Sequence, residues 1–150
     1  MIILIRHGKA VDVNEWKGSD NERPLTAEGE KRTKKLAKGS RFLLEKLRDP
    51  VLYSSPYVRA YQTATIFGDI WELDVVKDSL VEPGWDARRW PEDYKERDII
   101  IVGHMPDLKE ALFALTQGQI TIEFQPPSLA AVSFSEEKAK LVAYLTWKAF

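Results

Sequence analysis

Only two of the 150 residues are histidine, and each closes a short apolar run. His7 follows Ile2-Ile3-Leu4-Ile5-Arg6 and precedes Gly8; His104 follows Ile99-Ile100-Ile101-Val102-Gly103. A neutral imidazole is a nucleophile at physiological pH, and its other nitrogen donates a hydrogen bond. Arg6 sets a planar, permanently charged fork beside it, which suits phosphate, and Gly8 lets backbone come close to a ligand. The pattern therefore suits attack on an anionic electrophile. Arg59, in Ser54-Ser55-Pro56-Tyr57-Val58-Arg59-Ala60, falls in the first turns of an expected helix. Free N–H groups and the helix dipole already favour an anion there, and an arginine at that end is best explained by one. Each feature has a plainer reading: a solvated Arg-His turn, a surface arginine, a hydrogen-bonded structural histidine. The shared placement of the two histidines weighs against the last.

The elements that must position these groups follow from periodicity. Runs of four β-branched or leucine residues predict strands buried on both faces of a parallel sheet, and open α/β sheets bind ligands just beyond the carboxyl ends of such strands. Strands are expected at 2–6, 51–53, 73–76 and 99–102, with tail strands near 120–124, 129–134 and 140–146 and a turn at Glu136-Glu137-Lys138. One helix is expected from about 27 to about 47, capped by Thr26 and weakened by Gly39. A second begins with Ser55 as its cap and Pro56 in its first position, and stops near Gly68. A third starts at Pro106, carries Leu108, Ala111, Leu112 and Leu115 on one face, and ends at Gly118. This alternation predicts one domain over 1–150. Its architecture is an α/β three-layer sandwich, with a mostly parallel central sheet and an antiparallel edge.

Composition narrows the function. Lys+Arg is 22 against Asp+Glu 23, a net charge of −1, so no basic excess exists to make nucleic acid the main partner. The absence of cysteine removes disulfides and thiolate catalysis, and two histidines argue against a histidine-rich metal site. The apolar N-terminal run is too short for a signal peptide or a membrane span. The expectation is a cytoplasmic protein with no membrane partner. Its oligomeric state is left open, with a monomer slightly favoured.

Four ordered segments carry a resemblance: Arg6-His7-Gly8, Arg23-Pro24-Leu25-Thr26-x-x-Gly29, Ser54-Ser55-Pro56-x-x-Arg59-Ala60-x-Gln62-Thr63 and Val102-Gly103-His104-x-Pro106. Together they resemble the histidine phosphatase superfamily, over roughly residues 1–132. The short chain, Lys9-Ala10 and the Arg-Pro-Leu-Thr segment look most like its SixA-type phosphohistidine phosphatase branch. The resemblance implies a phosphoglycerate mutase-like fold and a covalent mechanism with no metal and no organic cofactor. It implies His7 as nucleophile and Arg6, Arg59 and His104 as the phosphate pocket, with His104 adding charge if protonated. Arg23 is a secondary member of that pocket, Gly8 lines it, and Thr26 and Gly29 cap and pack. For the leaving-group acid, Glu82 is the nearest candidate and Asp86 the second, although SixA-type members are poor in acids there.

The short stretch before the strand at 99 suggests an open site. An open site suits a phosphorylated protein side chain or a flexible small phosphoester. The segment Trp85 to Trp90 is either a rim for a partner or, slightly favoured, a loop packed on the core. The leading expectation is a phosphatase acting on phosphohistidine in proteins, the alternative a small-molecule phosphomonoesterase. A phosphate-binding module without catalysis is the third, disfavoured because His7 and its three phosphate ligands are all present.

Overall fold

A computed structural model describes all residues from Met1 to Phe150. Six strands form one sheet: β1 (Ile2–Arg6), β2 (Val51–Ser54), β3 (Val75–Lys77), β4 (Ile99–Gly103), β5 (Ser128–Ser135) and β6 (Lys138–Thr146). Their order is β3-β2-β4-β1-β5-β6. β1 to β4 run parallel, while β5 pairs antiparallel with β1 and β6 with β5. The architecture is thus the expected α/β sandwich with an antiparallel edge.

The alternation of β1 explains the three layers. Ile3 and Ile5 face the side covered by α1 (Ala27–Gly39) and α2 (Val58–Trp71), where Leu36, Phe67 and Trp71 pack. Ile2 and Leu4 face the other side, against Leu108 and Leu112 of α3 (Asp107–Leu115), Trp85 and Phe124. The side chains from Ile2 to Ile5 are at most 2% exposed. Full burial of each such side chain contributes about 1.5–3 kcal/mol, so the strand that delivers Arg6 and His7 is clamped on both faces. Arg6 lies opposite Gly103 in the β1–β4 register, which brings His7 and His104 to the same edge.

Several element boundaries differ from expectation. α1 stops at Gly39: the Ser40 hydroxyl donates to the Leu36 carbonyl at 2.6 Å, and the chain continues as a 3₁₀ turn over Arg41–Lys46. β3 starts two residues later, at Val75. α2 is capped by Tyr57, not Ser55, and runs past Gly68 to Trp71, ending at Glu72 with φ 59°. Gly68 is there for packing, since a Cβ would lie 2.7 Å from the Leu73 carbonyl. No strand forms at 120–124. The alternation there reflects Ile120, Ile122 and Phe124 packing onto the α3 side of the sheet. No helix is long and apolar enough to cross a membrane.

Candidate active site

A cleft of about 470 Å³ opens beyond the carboxyl ends of β1 and β4, lined by Arg6, His7, Lys9, Arg23, Arg59 and His104 among others. A larger cavity of about 880 Å³ lies on the far side of Pro83, around Tyr53, Trp85, Trp90 and Asp93. Size does not decide between them. The smaller cleft holds both imidazoles and three guanidiniums, and so holds the chemistry.

His7 Nδ1 lies 2.7 Å from the Gly8 carbonyl. A carbonyl only accepts, so Nδ1 carries the hydrogen and the neutral ring keeps its lone pair on Nε2. Burial, opposed by the Gly8 bond and joined by Arg59, Arg6 and Arg23, pushes the His7 pKa down to about 4. The ring is therefore an unprotonated nucleophile at neutral pH. His104 sits with its ring centroid 5.3 Å from that of His7, the planes tilted by 57°. Burial first, then His7 and Arg59, lowers its pKa to about 3. The added charge that a protonated His104 would bring is therefore not present at neutral pH in the unliganded site; the neutral ring serves as a hydrogen-bond group. A phosphate dianion beside it would push the pKa back up.

Arg6 reaches from the end of β1 and donates through Nη1 to the Phe124 carbonyl. Arg59, in the first turn of α2, is 5% exposed, and its Cζ lies 5.1 Å from the Tyr57 ring centroid. Burial lowers the pKa of both arginines from the usual value. The Nε atoms of Arg6 and Arg59 and the Nδ1 of His104 are buried with no hydrogen-bond partner in the protein. Orphaned donors of this kind are costly and call for an acceptor. Arg23, held as secondary on sequence grounds, joins the cleft: Nη1 donates to the Val11 carbonyl at 2.8 Å and Nε to Asp20 Oδ1 at 3.1 Å.

Asp20 was not foreseen. Its carboxylate takes Arg59 Nη2 at 3.2 Å as well as Arg23, and its carbonyl takes Arg59 Nη1 at 2.8 Å. Although burial alone would raise its pKa, the two arginines hold it below the usual carboxylate range. One carboxylate thus aligns two guanidiniums. The signal available in the sequence was its i, i+3 spacing to Arg23.

The structure places the other expected residues, Gly8, Glu82 and Asp86, as follows. Gly8 lines the cleft, with its amide donating to Thr63 Oγ1 at 3.0 Å. Glycine stands there because a Cβ would come 2.5 Å from Thr33 Oγ1. Glu82 caps the 3₁₀ turn Ser79–Val81, and the cleft wall at this point is its neighbour Pro83. Asp86 lies in the other cavity and is held ionised by a fork to Arg88, with Nε at 3.0 Å and Nη2 at 2.9 Å. The loop between them is pinned by the Gly84 amide, which donates to buried Asp107 at 2.9 Å. Trp85 is 4% exposed and packs edge-on against Trp90 at 4.9 Å, so the core-packed reading of this segment holds for Trp85. No three His, Cys, Asp or Glu side chains cluster as a metal site.

Residues 2–86 match the model of the histidine phosphatase superfamily, branch 1. An uncharacterized protein of Picosynechococcus sp. is 34% identical over 127 residues, covering 79% of this chain and 74% of that protein. The fold superposes on the structure of the protein histidine phosphatase SixA complexed with tungstate, with a TM-score of 0.83 at 20% identity, over 99% of this chain and 97% of the other. A mutant phosphoserine phosphatase of Entamoeba histolytica in complex with phosphoserine gives a TM-score of 0.67 at 16% identity, over 95% of each chain. With the arginine-histidine end of β1 inside the matched residues, the chain belongs to the histidine phosphatase superfamily, branch 1, a family of phosphatases.

Proposed function

We propose that the protein hydrolyses its substrate through a covalent phosphohistidine on His7, and that this substrate is phosphohistidine in another protein. The observation that carries the reading is the His7 Nδ1–Gly8 bond, which leaves the Nε2 lone pair free in a cleft of three guanidiniums. In the first half-reaction Nε2 attacks phosphorus in line. The Nε2–P bond forms as the bond to the leaving group breaks, and the leaving group departs with the bonding pair and takes a proton from water. In the second, water attacks phosphorus, the Nε2–P bond breaks with its electron pair returning to Nε2, a proton of the attacking water neutralises the hydroxide left by the first half-reaction, and phosphate is released with neutral His7 restored. Charge spread over the three equatorial oxygens is met by Arg6, Arg59, Arg23 and the His104 N–H, so catalysis is positioning plus charge stabilisation.

The carboxylates of the cleft support this substrate class. A positioned general acid contributes about 10²–10⁴-fold where the leaving group needs a proton. Of the two carboxylates lining the cleft, Asp12 and Asp20, the second is held ionised between arginines. An imidazole leaving from a phosphoramidate needs little such help, and SixA, whose fold this chain shares, is a protein histidine phosphatase. Asp12 favours a second reading, in which it protonates the alcohol of a small phosphomonoester.

Turnover of a phosphohistidine-bearing protein domain beside a panel of sugar and nucleotide phosphates separates the two. The leading reading expects kcat/KM for phosphohistidine to exceed the others by about 10²-fold, the lower bound for a missing acid. Equal values, or a preference for one phosphoester, assign the second reading. His7→Ala is expected to abolish turnover of every substrate while leaving the fold intact.

A further inference from the structure

Ser55 immediately follows β2, and its main-chain amide donates to the Val102 carbonyl at 3.1 Å, which seats it beside the end of β4. The residue is fully buried. Its Oγ accepts the Tyr57 amide at 3.2 Å and lies 2.8 Å from His104 Nε2. That hydroxyl makes no other hydrogen bond within the protein. Two arrangements of the pair are conceivable. If Nε2 donated to Oγ, the hydroxyl hydrogen would be buried without an acceptor, which disfavours that arrangement by about tenfold to a hundredfold. If the hydroxyl donates to Nε2, every atom of the chain Tyr57 N–H, Ser55 O–H and His104 Nε2 is satisfied.

We infer that Ser55 is a positioning residue that fixes His104 in the neutral tautomer with its hydrogen on Nδ1, making the ring a donor toward a phosphoryl oxygen. Nδ1 is the one polar atom of the ring left without a protein partner. The low pKa of about 3 agrees with a ring that acts without a charge. Both histidines then carry their hydrogen on Nδ1, and they differ in what each holds ready. His7 spends its N–H on Gly8 and keeps the Nε2 lone pair for attack. His104 spends its Nε2 lone pair on Ser55 and keeps an N–H for the anion. Identical tautomers in opposite settings yield a nucleophile and a donor on rings whose centroids lie 5.3 Å apart.

The consequence for turnover rests on the phosphatase reading, but the tautomer is a property of the resting protein and is measured there. Long-range ¹H–¹⁵N correlation of ¹⁵N-histidine protein at neutral pH, assigned with His7→Ala, reads both rings. The inference expects Nδ1 protonated and Nε2 bare on His104. A protonated Nε2 on His104 in the native protein overturns it, whatever the activity. Ser55→Ala is expected to move His104 toward the Nε2–H form and to lower kcat/KM by about tenfold to a hundredfold, with Ser55→Thr, which restores a hydroxyl, recovering the native tautomer. Ser55→Ala that keeps the native tautomer and native turnover also overturns it. A native protein with the expected tautomer but no hydrolysis leaves the Ser55 assignment standing and removes the phosphatase reading alone.

Discussion

Replacing Gly29 by alanine tests whether contact between α1 and the loop after β1 sets the position of the nucleophile. A Cβ at Gly29 would lie 2.1 Å from the Lys9 carbonyl oxygen and 3.1 Å from the Lys9 nitrogen. Carbon and oxygen approach comfortably to about 3.3 Å, so helix and loop must part by roughly 1 Å. The same Lys9 carbonyl accepts the Thr26 amide at 2.9 Å and the Thr26 hydroxyl at 3.2 Å, so the separation also loosens the N-cap of α1. Overpacking of this kind costs about 1–3 kcal/mol, equivalent to a fall in Tm of roughly 2–12 °C for a chain of this size. Lys9 follows the Gly8 carbonyl that orients His7, and a 1 Å misplacement of a reacting group costs on the order of 10²-fold. Steady-state kcat/KM and thermal melting of Gly29→Ala are therefore expected to fall together. Gly39→Ala is the control. The nearest atoms to its Cβ belong to the ring of Phe150, at 2.2–2.5 Å, a side chain that is 40% exposed and far from the cleft residues in the chain. Activity is expected to be unchanged there, with stability raised by up to about 1 kcal/mol from helix propensity. Native kcat/KM in Gly29→Ala, or an equal loss in Gly39→Ala, refutes the reasoning.

Both histidine pKa values are lowered by folding, so their contribution to stability is fully present above the unfolded value of 6.5 and is lost as pH falls toward about 4. Titration of stability from pH 7.5 to 4 is expected to show a loss of roughly 2–3 kcal/mol attributable to His7, less than the full linkage value because the ring reaches the solvent of the cleft; His7→Ala, which has no such group, is expected to lose less over that range. The profile of kcat/KM, corrected for substrate ionisation, is expected to be flat from pH 5.5 to 8, and an acid limb near 6.5 would show that His7 is not held neutral. Asp20→Ala is expected to lower kcat/KM about tenfold by releasing two charge-assisted hydrogen bonds to Arg59 and Arg23, with Asp20→Asn recovering part; an increase in kcat/KM would identify the carboxylate as a competitor of phosphate instead. Glu82→Gln is expected to leave turnover of phosphohistidine and of phosphoesters alike near native, and a selective loss on phosphoesters would return Glu82 to the role of acid.

The parts of this site that could be read from the sequence are those set by strand periodicity. Uninterrupted runs at 2–5 and 99–102 mark strands buried on both faces, so His7 and His104 had to emerge at the carboxyl edge of the sheet. Arg59 was legible because an arginine at a helix start needs an anion. The misreadings share one cause, which is that local rules give way to contacts far apart in the chain. Ser55 before Pro56 reads as a helix cap, yet its hydroxyl serves a histidine 49 residues away. Gly8 reads as room for a ligand; it lines the cleft, and it also makes room for Thr33 of α1. Glu82 reads as an acid near the site, yet the pinning of Gly84 by Asp107 presents Pro83 to the cleft instead. Asp20 sits in a polar loop without periodicity, and only the folded chain reveals that it meets two arginines.

Trapping the phosphorylated enzyme bears most directly on the central claim. Acid quench would destroy a phosphohistidine, so the reaction is stopped in alkali within the first turnover and the modified residue is mapped by mass spectrometry and ³¹P NMR. The account predicts phosphate on Nε2 of His7, formed at least as fast as product appears. Phosphate on any other residue, or on Nδ1, or turnover with no phosphorylated protein at any time, contradicts it.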